Sequence, residues 1–221
     1  MRNLLSSLSL MTLMAAAAAA DPTPNQVVEQ TVTNIAHKLD GHKDELRANK
    51  KELYELIDHE LLPQFDTEYA GRLVLGKAWR DATPEQRKRF IDAFYKFLLR
   101  SYATSILKFE QSNIRVLPAR KPPEDGRTVV ETVMRMADGS EVPVNYAMHE
   151  TPAGWKAYDV RIEGVSYVQN YRNQFNAEAV AKGLDALITR LEQDAAAVET
   201  GRKQPDRPSG AAPVPASGGG T

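Results

Sequence analysis

The chain has 221 residues, 42% of them hydrophobic, with no cysteine and a formal net charge of −1. That balance argues against a nucleic-acid binder, which needs a basic surface. Without cysteine there is no disulfide, no thiol nucleophile and no acylated lipobox, so the fold rests on its hydrophobic core.

The N-terminus predicts an export signal. Arg2 supplies a short positive region, residues 4–14 are rich in Leu and Met, and Ala15 to Ala20 offers small residues for cleavage before Asp21. The apolar stretch is short against the ~20 residues of a membrane-spanning helix. Residues 1–20 are therefore expected to be a cleaved signal peptide, and residues 21–200 one α+β domain. Residues 201–221, rich in Pro and Gly with few large apolar side chains, are expected to be a disordered tail.

Residues 24 to 110 carry a helical period. Val27, Val28, Thr31, Ile35 and Leu39 mark one apolar stripe that Gly41 stops. A second helix is expected from about Lys50 to Leu62, before Pro63, and a third from Thr67 to Gly76. Thr83-Pro84-Glu85-Gln86 is a helix start, with Thr83 as N-cap, Pro84 at the first helical position and Gln86 closing a capping box. The long helix that follows, to about Lys108, aligns Phe90, Phe94, Phe97, Leu98, Tyr102 and Ile106.

From Asn113 the period drops to two. A short strand at Ile114 to Val116 precedes alternating runs at Arg127–Met136 and Glu141–Glu150, with a hairpin signal at Asp138-Gly139. Trp155 to Ile162 is the last strand, with Tyr158, Val160 and Ile162 expected on one face, and Gly164 ends it. Two helices are expected to follow, from about Val165 to Phe175 and from about Ala177 to Glu199. The expected architecture is a curved antiparallel sheet of about four strands covered by helices.

No motif of a hydrolase, zinc protease, P-loop or dinucleotide enzyme is present. His37, His42, His59 and His149 show no metal-ligand spacing, so neither metal nor cofactor is expected. The layout is similar to the cone-shaped nuclear-transport-factor-like fold, which hosts isomerases. An isomerase would use Asp159 as base and Tyr158 as donor. Strand neighbours face opposite sides, so that pair needs a β-bulge to share a pocket. On pattern alone the apolar helix and sheet faces fit an ordinary filled core, or a pocket whose methionines adapt to variable apolar shapes.

Two blocks carry a family resemblance. The first is Tyr69-Ala-Gly-Arg-Leu-Val-Leu-Gly76, then Trp79, Ala82-Thr-Pro-Glu-Gln-Arg87, Phe90 and Phe94. The second is Trp155-Lys-Ala-Tyr-Asp-Val-Arg-Ile-Glu-Gly-Val-Ser166 with Asn170-Tyr-Arg-Asn-Gln-Phe175. Their order and spacing resemble the phospholipid-binding family of the Mla (maintenance of lipid asymmetry) system, also called the Ttg2 toluene-tolerance family, over roughly Pro24 to Val198. The resemblance implies a periplasmic, non-enzymatic carrier, expected to be a monomer, with glycerophospholipid as cargo. It also implies two partners: an inner-membrane ABC transporter complex with lipid-binding rings, and an outer-membrane lipoprotein–porin complex. The alternatives are a non-carrier interaction protein with a filled core and the isomerase.

A carrier must cover both acyl chains, because two tails of ~16 carbons would cost ~25 kcal/mol in water at ~0.8 kcal/mol per methylene. From the apolar faces, the expected lining is Phe94, Phe97, Leu98 and Tyr102 on the long helix. The sheet adds Met134, Val144, Tyr146, Met148, Val160 and Ile162, and the last helices add Val165, Val168 and Tyr171. Arg161 and Arg172 are candidates for the headgroup phosphate.

Overall fold

The computed structural model describes residues 21–107, 113–136 and 138–200; the expected signal peptide and C-terminal tail lie outside them. Eight α-helices, a 3-10 turn and five strands are described. The first helices are α1 (Pro24–Leu39), α2 (Lys43–Ala48) and α3 (Lys50–Glu60), followed by the 3-10 turn Leu62–Gln64, α4 (Thr67–Leu75) and α5 (Lys77–Asp81). The long helix is α6 (Pro84–Ile106).

Two helix starts of the same kind, differing only in their third residue, open α1 and α6. Thr23-Pro24-Asn25-Gln26 and Thr83-Pro84-Glu85-Gln86 both form full capping boxes. In the second, the Thr83 amide donates to Gln86 Oε1 at 3.0 Å and the Gln86 amide donates to Thr83 Oγ1 at 3.2 Å. Each box satisfies two amides that a helix start otherwise leaves open.

The sheet runs in the order β1 (Ile114–Val116), β2 (Arg127–Arg135), β3 (Glu141–Thr151), β4 (Gly154–Ile162) and β5 (Val165–Ser166), all neighbours antiparallel. The α+β class with an antiparallel sheet and packed helices is as expected, and the fifth strand is the two-residue β5. The sheet register has a bulge in β4. Ala147 pairs with Asp159 but Met148 pairs with Ala157, so Tyr158 is the extra residue. Tyr158 therefore does not continue the Val160 and Ile162 face. Its ring packs instead on Tyr69 at 5.1 Å and His149 at 5.5 Å.

The chain ends with α7 (Tyr167–Lys182) and α8 (Leu184–Glu199). The break between them falls at Gly183, with φ of 88°, rather than near Ala177. Ser166 caps α7 by accepting the Gln169 amide at 3.0 Å.

The sheet packs against α1 on the β1–β2 side and against α4 and α7 at β4, whereas α6 packs against α8, α4 and α3. The apolar residues form three separate clusters. The largest joins α4 to α8 around Phe90, Phe94, Phe97, Tyr171 and Phe175. A second joins α1, α2, α3 and α6 around Leu39, Leu53 and Leu99. The third places Val28 and Val32 of α1 on Val130, Met148 and Ala157 of the sheet.

Candidate functional site

The thirteen apolar residues expected to line a pocket divide by environment. Phe94, Phe97 and Tyr171 are buried in the helical cluster, where Phe94 and Tyr171 meet edge to face at 5.1 Å. Met148 is buried in the cluster under α1. Leu98 and Val168 are half-buried at the edge of the helical cluster, and Tyr146 at the edge of the sheet cluster. Tyr102, Met134, Val160, Ile162 and Val165 are half-buried and belong to none of the three. Val144 is buried but also outside them.

Register brings most of the sheet members together. Val144 pairs with Ile162, Ile162 pairs with Val165, and Tyr146 pairs with Val160. Met134 lies two residues beyond Thr132, the β2 partner of Val144. Because side chains alternate along a strand, these residues occupy one face. On the helical side, Tyr102 meets Tyr167 at the start of α7 with ring centres 5.9 Å apart, and its hydroxyl lies 3.2 Å from that of Tyr171.

Tyr146 is the most informative of the set. Burial pushes its phenol up to about 12, yet the residue keeps accessible surface. Its hydroxyl makes no hydrogen bond among the described residues. A desolvated ring that keeps some accessible surface lies at the edge of the packing rather than in its middle. On α6, the buried Ser101 hydroxyl also has no hydrogen-bond partner among the described residues. Sequence reasoning passed over it because one Ser in an aromatic stripe carries no periodic signal.

The two headgroup candidates are engaged. Arg161 Nε lies 3.5 Å from Asp159 Oδ2, with its side chain half exposed. Arg172 donates to the Leu73 carbonyl at 2.9 Å and so ties α7 to α4. The bulge does turn Tyr158 and Asp159 away from strict alternation, which was the condition set for an isomerase pair. Asp159, however, is 5% exposed and accepts from Ser166 Oγ at 2.6 Å and the Val168 amide at 3.0 Å. Those contacts fix it as a structural acceptor at the start of α7.

A separate groove of about 820 Å³ lies beside β2, bordered by the 117–125 loop, Asn25 and Tyr158. Arg120, Lys121, Glu124, Asp125, Arg127 and Glu131 border it together with apolar side chains, and it holds none of the expected lining residues. His149 pairs with Asp66 at 3.0 Å, and Asp66 also caps α4 through the Tyr69 amide. Among the described residues no group of three His, Asp or Glu could hold a metal ion. No described helix is long and apolar enough to cross a membrane.

The model of the MlaC protein family matches residues 29–193. The chain belongs to the MlaC family. This is the family that the two sequence blocks resemble. Among MlaC relatives, the toluene tolerance protein Ttg2D of Pseudomonas putida is 28% identical over 207 residues, covering 93% of this chain and 94% of that protein. The intermembrane phospholipid transport system binding protein MlaC of Haemophilus influenzae is 22% identical over 186 residues, covering 83% and 87%. Among solved structures, the phospholipid-binding protein of Ralstonia solanacearum, in complex with a phospholipid, is similar with a TM-score of 0.71 and 28% identity. That match covers 78% of this chain and 97% of that one.

Proposed function

We propose that this MlaC-family chain is a periplasmic, non-enzymatic carrier that encloses the acyl chains of a glycerophospholipid. It would act as a monomer, moving lipid between an outer-membrane lipoprotein–porin complex and an inner-membrane ABC transporter complex with lipid-binding rings. The observation that carries the reading is the match to a solved phospholipid complex over nearly that protein's whole length. The strip of apolar residues outside the packed clusters or at their edges supports it. Val144, Tyr146, Val160, Ile162 and Val165 from the sheet, with Met134, Leu98, Tyr102 and Val168, would touch the tails. Phe94, Phe97, Tyr171 and Met148 would build the walls behind them.

Burial of the tails supplies the binding energy, at ~0.8 kcal/mol per methylene removed from water. No reacting group is needed, because release into a bilayer restores the same apolar contact. Native mass spectrometry of gently purified protein, with extraction and identification of the bound lipid, tests the proposal. Protein that arrives without phospholipid and cannot be loaded from liposomes sinks it.

A further inference from the structure

Tyr146 stands where the packed and the loose parts of one sheet face meet. In register it lies between Val130 of β2 and Val160 of β4. Val130 is 1% exposed and packs under α1, whereas Val160 is half-buried and outside the three clusters. The same division repeats along β3. Met148, two residues one way, is packed under α1, and Val144, two residues the other way, belongs to no cluster. Tyr146 is therefore the end of the loose strip, which continues over Val144, Ile162 and Met134.

The ring suits that junction, but the oxygen has no partner there. Other phenols are engaged: Tyr69 accepts from Arg127 at 3.1 Å, Tyr95 donates to Asp58, and the Tyr102 and Tyr171 hydroxyls lie 3.2 Å apart. The Tyr146 hydroxyl makes no hydrogen bond among the described residues, and burial alone raises its phenol. The polar side chains diagonal to it on β2 are Thr128 and Thr132. Thr132 donates to the Val144 carbonyl, and Thr128 borders the groove beside β2. A desolvated donor without an acceptor is destabilising. Tyr146 keeps accessible surface, so an acceptor from outside the chain can reach it.

The charge pattern selects that acceptor. Around Tyr146 the same face carries Val130, Thr132, Val144, Met148, Val160 and Ile162, with no cation. The strand cations Arg127, Lys156 and Arg161 pair with His149 and Asn145, which point to the other face. A phosphate or carboxylate beside Tyr146 would be a desolvated charge without a counter-ion. A neutral carbonyl needs only the donor. In a glycerophospholipid the ester carbonyls are such acceptors, and they sit where each tail begins.

We infer that the Tyr146 hydroxyl donates to an acyl ester carbonyl of the bound lipid and so sets how deep the tails enter. The inference rests on the carrier reading and narrows its cargo to ester-linked over ether-linked glycerophospholipid. An ester held at the end of the strip lets its tail run over Val144, Ile162 and Met134.

The test loads the full mature chain from liposomes of equal parts dipalmitoyl- and dihexadecyl-phosphatidylglycerol. The two share headgroup and tail length, and the diether lacks both carbonyls. Native mass spectrometry reads the ratio bound. Wild-type protein is expected to hold the diester in about three- to tenfold excess, the fold-change of one hydrogen bond. Tyr146→Phe is expected to bring the ratio to within about 1.5-fold, with an unchanged circular dichroism spectrum. Tyr158→Phe, at a residue that borders the separate groove, is expected to keep the wild-type ratio.

Equal loading of the two lipids by wild-type protein overturns the inference without any variant, and leaves an ordered water as the partner of Tyr146. A diester preference that survives Tyr146→Phe, or that Tyr158→Phe removes as well, also overturns it. Protein that takes up neither lipid is a distinct result: it removes the carrier reading, and this inference with it.

Discussion

The Asp159 carboxylate accepts the Val168 amide at 3.0 Å, so a residue of β4 closes the first turn of α7. Its second oxygen accepts Ser166 Oγ at 2.6 Å, and Ser166 in turn caps the Gln169 amide. Strand, cap and helix thereby form one unit, and the negative charge sits where the helix dipole favours it. Asp159→Ala leaves the Val168 amide and the Ser166 hydroxyl without this acceptor. It is expected to cost about 2 kcal/mol, with Asn in its place costing less. Urea unfolding reads this as a lower midpoint at unchanged slope. An unchanged midpoint would show that the carboxylate contributes nothing to the docking of α7.

Tyr146 makes stability fall in alkali. Its phenol is raised from 10.0 to about 12 by burial. Below pH 10 it is protonated in both states and contributes no slope. Between pH 10 and 12 the unfolded chain loses the proton and the native chain keeps it, so stability declines by about 2–3 kcal/mol across that window. Tyr95, raised by burial and by its hydrogen bond to Asp58, and Tyr54, raised by burial, act in the same direction. Tyr146→Phe is expected to stay close to wild type at pH 7, because the hydroxyl makes no hydrogen bond among the described residues, and to lose less stability above pH 10. Urea midpoints of both proteins across this range check it; parallel pH profiles would refute it.

Gly76 separates α4 from α5 with φ of 54° and ψ of −112°, a region that side chains rarely enter. A Cβ there would also stand 3.1 Å from Arg172 Nη2, the guanidinium that donates to Leu73. Gly76→Ala is therefore expected to cost about 1–3 kcal/mol, more than an ordinary helix-end substitution. The comparison is Gly41→Ala, whose φ of 73° is also positive but whose Cβ would meet nothing within 4 Å. Equal melting shifts for the two variants would mean that the Arg172 contact adds no cost.

Period and turn chemistry made much of the fold readable before the structure. The change of period at Asn113 marks where helices give way to strands, and Thr83-Pro84-Glu85-Gln86 forms the capping box its residues encode. Helices α2 and α5 escaped because six and five residues are too few to show a period. The β4 bulge escaped because it inserts Tyr158 without any Gly or Pro to mark it. The division between lining and core was the least readable part. Phe94 and Tyr102 sit on the same apolar helix, yet one is buried in a packed cluster and the other is outside it. Apolarity is common to both fates, and only the distance to the facing element separates them.

Val160 provides a direct probe of the space beside the sheet. It is half-buried, pairs with Tyr146 across the β3–β4 ladder, and belongs to no packed cluster. If lipid tails occupy that space, Val160→Trp places an indole where they would lie. Most of the bound phospholipid should then be lost in native mass spectra while circular dichroism and the urea midpoint stay near wild type. If the space were already filled by side chains, the added volume would strain the packing and cost about 1–3 kcal/mol. The two outcomes move different readouts: lipid lost at constant stability supports a cavity, and stability lost at constant lipid content would make this face ordinary core.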